Sequence, residues 1–175
     1  WQQIEAGRIS LDDRVADYWP AFGKNRKDAV LVRHILTHQG GFPKTPDHLP
    51  MLEWGDLRRV NSVVEDLHLE YPPGSVSSYH FLTQHWVISE LVRLLDGRLY
   101  ERYLQEEILD PLGLAQTHIQ LPPDLENHCV KLHATDGTDA WGLEIIQAMH
   151  EFPIYRMVVP GGSLVSTAPD MARFY

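Results

Sequence analysis

An α/β protein, mainly helical with short strands, is the fold class this chain predicts. Three observations carry that expectation. Phe81, Leu82, Trp86, Ile88, Leu91, Val92 and Leu95 make an apolar stripe at helical spacing. Tyr100, Tyr103, Leu104 and Ile108 make a second stripe soon after Gly97. Met157-Val158-Val159 is a short strand-like run, ended by Pro160-Gly161-Gly162.

The elements follow in order. Residues 1–7 read as the tail of a helix, with Ile4 apolar and Gly7 as the stop; a tail with no beginning predicts truncation. Residues 8–13 form a turn. Residues 29–38 carry Val32, Ile35 and Leu36 at helical spacing, and Gly40-Gly41 ends that helix. Residues 42–52 are proline-rich and predict a loop. Ser62 with Glu65 fits a capping box, so a short helix is expected to start there. Tyr71-Pro72-Pro73-Gly74 breaks the chain sharply. The two apolar stripes that follow should pack as a helical hairpin, closed at Gly97 and stopped at Pro111. Leu121-Pro122-Pro123 opens an irregular region. Residues 170–175 look like the first turns of another helix, with Ser166-Thr167 and Asp170 as an N-cap and an acid in the first turn.

The bulk composition sets limits. At 175 residues the chain is long enough for a real core, and 43% apolar with 22% charged residues is ordinary for a globular protein. A formal charge of −9 argues against a nucleic-acid partner, which needs a Lys/Arg surplus. No apolar stretch approaches the roughly 20 residues of a membrane helix. Cys129 is alone, so there is no internal disulfide and no paired-cysteine metal site.

Among candidate site residues, Tyr79 stands first. It is delivered by the Pro73-Gly74-Ser75 turn just before the long apolar stripe. A phenol of ordinary pKa, about 10, is a poor base at neutral pH. Cationic neighbours lower that value and let the phenol relay a proton from a serine hydroxyl. A loop tyrosine packed on the helix below it meets the same spacing. His34 and His38 lie four apart, so two rings could face one metal; no third ligand is evident, and Ile35 stands where a zinc-protease helix carries glutamate. The plainer role for both is to satisfy backbone groups, and we expect no metal. Gly161-Gly162-Ser163 either lets a ligand approach the backbone closely or makes a tight turn. Asp136, Gly137 and Asp139 read as a turn. No Gly-x-Ser-x-Gly elbow, Gly-x-Gly-x-x-Gly loop or Walker loop occurs, and no cofactor is expected.

Several segments, taken in order, resemble one family. Ile4-Glu5-Ala6-Gly7-Arg8-Ile9-Ser10-Leu11-Asp12-Asp13-Arg14-Val15 looks like the stretch after a nucleophile helix. Val32-Arg33-His34-Ile35-Leu36-Thr37-His38-Gln39-Gly40-Gly41 resembles the signature VRHLLTHTSG. Tyr71-Pro72-Pro73-Gly74-Ser75 with Tyr79 resembles the approach to a Tyr-x-Asn motif. Glu106-Glu107-Ile108-Leu109-Asp110-Pro111-Leu112-Gly113-Leu114 resembles the FxPLGM helix end, and residues 161–174 resemble GGLxSTAxDLARF. The family is that of serine β-lactamases and penicillin-binding-protein-like enzymes, in its class C and esterase branch.

The resemblance implies a β-lactamase/transpeptidase-like fold and acyl-enzyme chemistry. A serine in Ser-x-x-Lys attacks a carbonyl, the motif lysine and tyrosine manage the proton, and backbone amides stabilise the oxyanion. By position Tyr79 is the catalytic tyrosine. His80, Gly161 and Gly162 are the substrate-binding candidates, and His34 and His38 are structural. Three departures bear on this. No serine here has lysine three positions on: Ser10 leads to Asp13, Ser62 to Glu65, Ser75 to Ser78 and Ser163 to Ser166. The family's nucleophile is therefore expected upstream of Trp1, and its late Lys-Thr-Gly-like strand beyond Tyr175. Finally, Phe81 holds the asparagine position, which removes a carboxamide that would bind a β-lactam side-chain amide. His80 would partly replace that group or face solvent.

The expectation is then a single incomplete domain over residues 1–175, the middle of a larger serine hydrolase. It would hold most of a helical subdomain and part of the return to the sheet. The substrate would be a small ester, amide or β-lactam, with an ester favoured by Phe81, and the chain alone would be inactive. Cut ends expose apolar surface, so self-association or pairing with a complementing piece is expected. A non-catalytic binding or scaffolding module of the same shape is the alternative reading, and metal binding through His34 and His38 a weaker one.

Overall fold

The computed structural model describes residues 1–151 and 154–175. Helix α1 (Gln2–Glu5) is short and is followed by Gly7, whose φ of 67° turns the chain. Then come α2 (Val15–Tyr18), a 3-10 turn at Pro20–Gly23, another at Lys27–Ala29, and α3 (Val32–Leu36). Helix α4 (Leu57–Asp66) and the long α5 (Thr83–Asp96) build the centre. Helix α6 (Tyr100–Leu104) runs on into a π-helical turn at Gln105–Leu109. Helices α7 (Ala140–Glu151) and α8 (Ala168–Phe174) close the chain.

The apolar stripe of α5 forms because Trp86, Val87 and Leu91 fall on one face, and all three are buried. They pack with Val60, Val63 and Val64 of α4, with Val32 and Ile35 of α3, and with Phe22 and Phe42 in one core. Leu109, Leu114 and Ile119 make a second, smaller cluster against Tyr100, Leu104 and Ile108. Gly97 ends α5 in the left-handed region at φ 90°, its N–H bonded to Arg93 O at 2.8 Å. The expected hairpin of α5 and α6 forms there, and Arg98 ties it by ion pairs to Asp96, Glu106 and Glu107.

Lys27 is fully buried. Its ammonium donates to the carbonyls of Lys24, Glu65 and Leu67, the last at 2.5 Å. Three acceptors for three protons are what a buried ammonium requires. Burial pushes its pKa down to about 8. The C-terminal end of α4 is pinned to the second 3-10 turn in this way.

Three sequence expectations change. Helix α4 starts five residues before Ser62, because Asp56 caps it and accepts from the N–H groups of Arg58 and Arg59, both at 3.0 Å; Ser62 is mid-helix. The short strands are not seen: among the described residues the β-pairing is two isolated antiparallel bridges, Arg14 with Leu31 and His118 with Val165. Met157 and Val159 bond locally instead, to Ile154 O and to Ser163 Oγ, so the run has no ladder to join. Helix α7 occupies a stretch where no element was expected. Among the described residues no helix is long and apolar enough to cross a membrane.

Candidate active site

The Tyr79 loop is built on the end of α3. Gly74 N–H donates to Gln39 O at 2.9 Å, and Ser78 N–H to His38 O at 3.0 Å. Ser77 Oγ reaches Thr37 O at 3.4 Å. Gly74 itself has φ 80°, and a β-carbon there would sit 2.9 Å from His34 Nε2. The Pro-Gly turn is thus seated on the His34 ring, at a place only glycine fits. His34 Nδ1 accepts the Leu31 N–H at 3.2 Å and holds the first turn of α3.

Tyr79 emerges from this loop with its side chain 67% exposed. Its ring centroid lies 4.9 Å from that of His38, the planes tilted by 37°. His38 Nδ1 accepts the His80 N–H at 3.0 Å. The Gln84 amide stands 3.2 Å from His38 Nε2 and 3.4 Å from His85 Nε2. The His85 ring in turn fills the space beside Gly161: a β-carbon there would lie 2.4 Å from the ring, and Gly161 has φ 80°. Tyr79 and Gly161 are therefore linked through His38, Gln84 and His85. Neither Gln84 nor His85 was singled out from sequence. Their one signal is position, in the first turn of the helix that follows the tyrosine.

His80 is placed otherwise than expected. It is 1% exposed. Its Nδ1–H donates to Ser78 O at 2.7 Å and its Nε2 accepts the Phe42 N–H at 3.3 Å. Both ring nitrogens are spent on backbone, and the ring packs edge-on against Phe42. That burial removes His80 from substrate contact and makes it a brace beneath the loop. Gly162 also faces inward, toward Val159, Leu82 and Ile154. Ser163 is buried with its hydroxyl on Ile119 O at 2.8 Å. Gly161 alone of the three is exposed at the surface.

Burial holds the His80 and His85 imidazoles below the ordinary histidine range; for His85 the neighbouring His38 adds to it, and for His80 the bond to Ser78 works against it. His34 is lowered by burial first and then by Arg33. These rings are thus held toward the neutral form. Among the described residues no group of three His, Cys, Asp or Glu side chains is arranged to hold a metal ion. A separate cleft of about 510 Å³ is walled by Trp54, Trp86, Tyr100 and Met157, and Tyr79 is not among its lining residues. Phe81 packs edge-on against Trp54 at 6.3 Å between centroids, in the wall of the core.

The profile of the family described as Beta-lactamase matches residues 1–175. The esterase/beta-lactamase LipL of Mycobacterium tuberculosis (strain ATCC 25618 / H37Rv) is 34% identical over 122 residues, covering 68% of this chain and 27% of LipL. Penicillin-binding protein 4 of Amycolatopsis lactamdurans is 29% identical over 180 residues, covering 99% of this chain and 45% of that protein. A crystal structure of a penicillin-binding protein homolog from Caulobacter crescentus is similar with a TM-score of 0.78 and 30% identity, over 98% of this chain and 49% of that one. A family VIII carboxylesterase shares the fold at a TM-score of 0.84 and 22% identity, over 99% of this chain and 49% of its own. This chain spans less than half the length of each of these proteins. The profile covers every motif quoted above, and the fold agrees with it: the chain belongs to the beta-lactamase family.

Proposed function

We propose that this chain is the tyrosine-bearing part of a serine hydrolase that works through an acyl-enzyme. Tyr79 is its proton-relay residue. The observation that carries the reading is the exposed Tyr79 phenol on a loop whose backbone is bonded to the end of α3. A relay must be held still and yet be open to a substrate, and Tyr79 meets both conditions. Gly161 offers exposed backbone joined to Tyr79 through His38, Gln84 and His85, and we assign it to substrate binding; Gly162 supports that turn from below.

The attacking hydroxyl has no source in these residues, since none of the serines has lysine three positions on. We place nucleophile and motif lysine in sequence outside residues 1–175, and expect this chain alone to be inactive. An ester is the favoured substrate over a β-lactam. Phe81 stands where the motif asparagine would bind an amide, and its ring is committed to Trp54. One relative is itself named an esterase/beta-lactamase, so an ester substrate is within what the family's names include.

The test is Tyr79→Phe in the intact protein that carries this chain. Turnover of a p-nitrophenyl ester should fall by about 100-fold or more, the size of a lost general acid–base contribution. Near-normal turnover would reject the role of Tyr79.

A further inference from the structure

We propose that His38 is the positioning residue of Tyr79. This deepens, and rests on, the reading of Tyr79 as the proton relay. His38 grips the chain on both sides of the tyrosine. Its carbonyl accepts the Ser78 N–H and its ring Nδ1 accepts the His80 N–H, each at 3.0 Å. The peptide group that enters Ser78 and the one that leaves Tyr79 are thereby fixed by one residue. The same imidazole then lies beside the phenol, at 4.9 Å between ring centroids.

The backbone of His38 makes a second argument. Its φ is 57°, in the left-handed region that few non-glycine residues adopt. Glycine would occupy that conformation without strain. Glycine has no Nδ1, however, and the His80 N–H would lose its acceptor. The strain is consistent with a need for the ring.

The hydrogen bonds also define the ring's state. Because Nδ1 accepts, a neutral His38 carries its hydrogen on Nε2. That hydrogen meets the Gln84 amide at 3.2 Å. The amide atom facing it is then the carbonyl oxygen. With the amide nitrogen there instead, its N–H would oppose the Nε2–H of His38. The same corner of the amide lies 3.4 Å from His85 Nε2, the ring packed beside Gly161. The His80 N–H thus sets the His38 tautomer, the Gln84 amide follows it, and His38 sets the Tyr79 loop.

Two variants of the intact protein test this. His38→Gly frees the backbone and removes the ring. It is expected to lower kcat for a p-nitrophenyl ester by about 10- to 100-fold with KM nearly unchanged, the effect of a misplaced catalytic group. His38→Asn keeps the left-handed backbone and offers an oxygen acceptor near the Nδ1 position, so it should recover most of the loss. A His38 that served only the fold would leave His38→Gly unimpaired, or would not be rescued by asparagine; a His38→Gly kcat within about twofold of wild type, or no recovery in His38→Asn, overturns the proposal. Imidazole ¹⁵N NMR of the wild-type protein decides the same point without turnover. An unprotonated Nδ1 with a protonated Nε2 on His38 is expected, and the opposite tautomer overturns it. If the wild-type protein turns over no ester, the hydrolase reading fails while the tautomer still decides the positioning.

Discussion

His80 and Tyr79 are neighbours in sequence with opposite surroundings: one is 1% exposed and the other 67%. Loop alternation of this kind follows no helical or strand period, so the burial of His80 was not legible in the sequence. Nothing in the residue types says that Phe42 N–H will need an acceptor and that His80 Nε2 will be it. The structural roles expected for His34 and His38 do agree with their bonds to Leu31 N–H and His80 N–H. The consequence is a pH dependence with a defined sign. His34, His80 and His85 all have folded-state pKa values held down, with burial the first cause. Above about 6.5 both folded and unfolded chains keep these rings neutral. Below it the unfolded chain takes up protons that the folded rings resist, so stability falls as pH falls. The paired carboxylates of Asp96, Glu106 and Glu126 act in the same direction, but only in the more acid carboxylate range. The thermal midpoint should therefore already drop between pH 7.5 and pH 5.5, on the order of the histidine window. An unchanged or higher midpoint at the lower pH contradicts the burial of these rings.

The long apolar stripe made α5 readable, because periodicity over several turns leaves little room for another structure. Short elements carried less signal. Met157-Val158-Val159 has the composition of a strand, but a strand is made by a partner, and here the local acceptor Ser163 Oγ takes the Val159 N–H. The start of α4 was misplaced for a different reason. Ser62 and Glu65 match a capping box by spacing, yet Asp56 lies at the true end and its carboxylate bonds to two free N–H groups. Asp56→Ala should cost about 1 kcal/mol, the usual value of an N-cap. Ser62→Ala, in the middle of the same helix, should change stability by no more than about 0.5 kcal/mol. Chemical denaturation of the two variants checks the pair, and equal losses would return the cap to Ser62.

On the scale of the molecule, the chain holds a helical core and the tyrosine loop of a beta-lactamase family protein. Motifs scattered from Ile4 to Phe174 meet in one fold because α5 supplies both the core stripe and the residues that join Tyr79 to Gly161. The family was readable from the order of those motifs. The link through Gln84 and His85 was not, since it joins residues far apart in sequence by side-chain contacts that no local pattern encodes. What this molecule lacks in its own 175 residues is a serine paired with lysine. The most direct measurement is fluorophosphonate labelling of the intact protein, followed by mapping of the modified residue in wild type and in Tyr79→Phe. The account predicts a single labelled serine outside residues 1–175, followed by lysine three positions on, and labelled far more slowly in the variant. A label on any serine within these residues, or equal labelling rates in the two proteins, would contradict it.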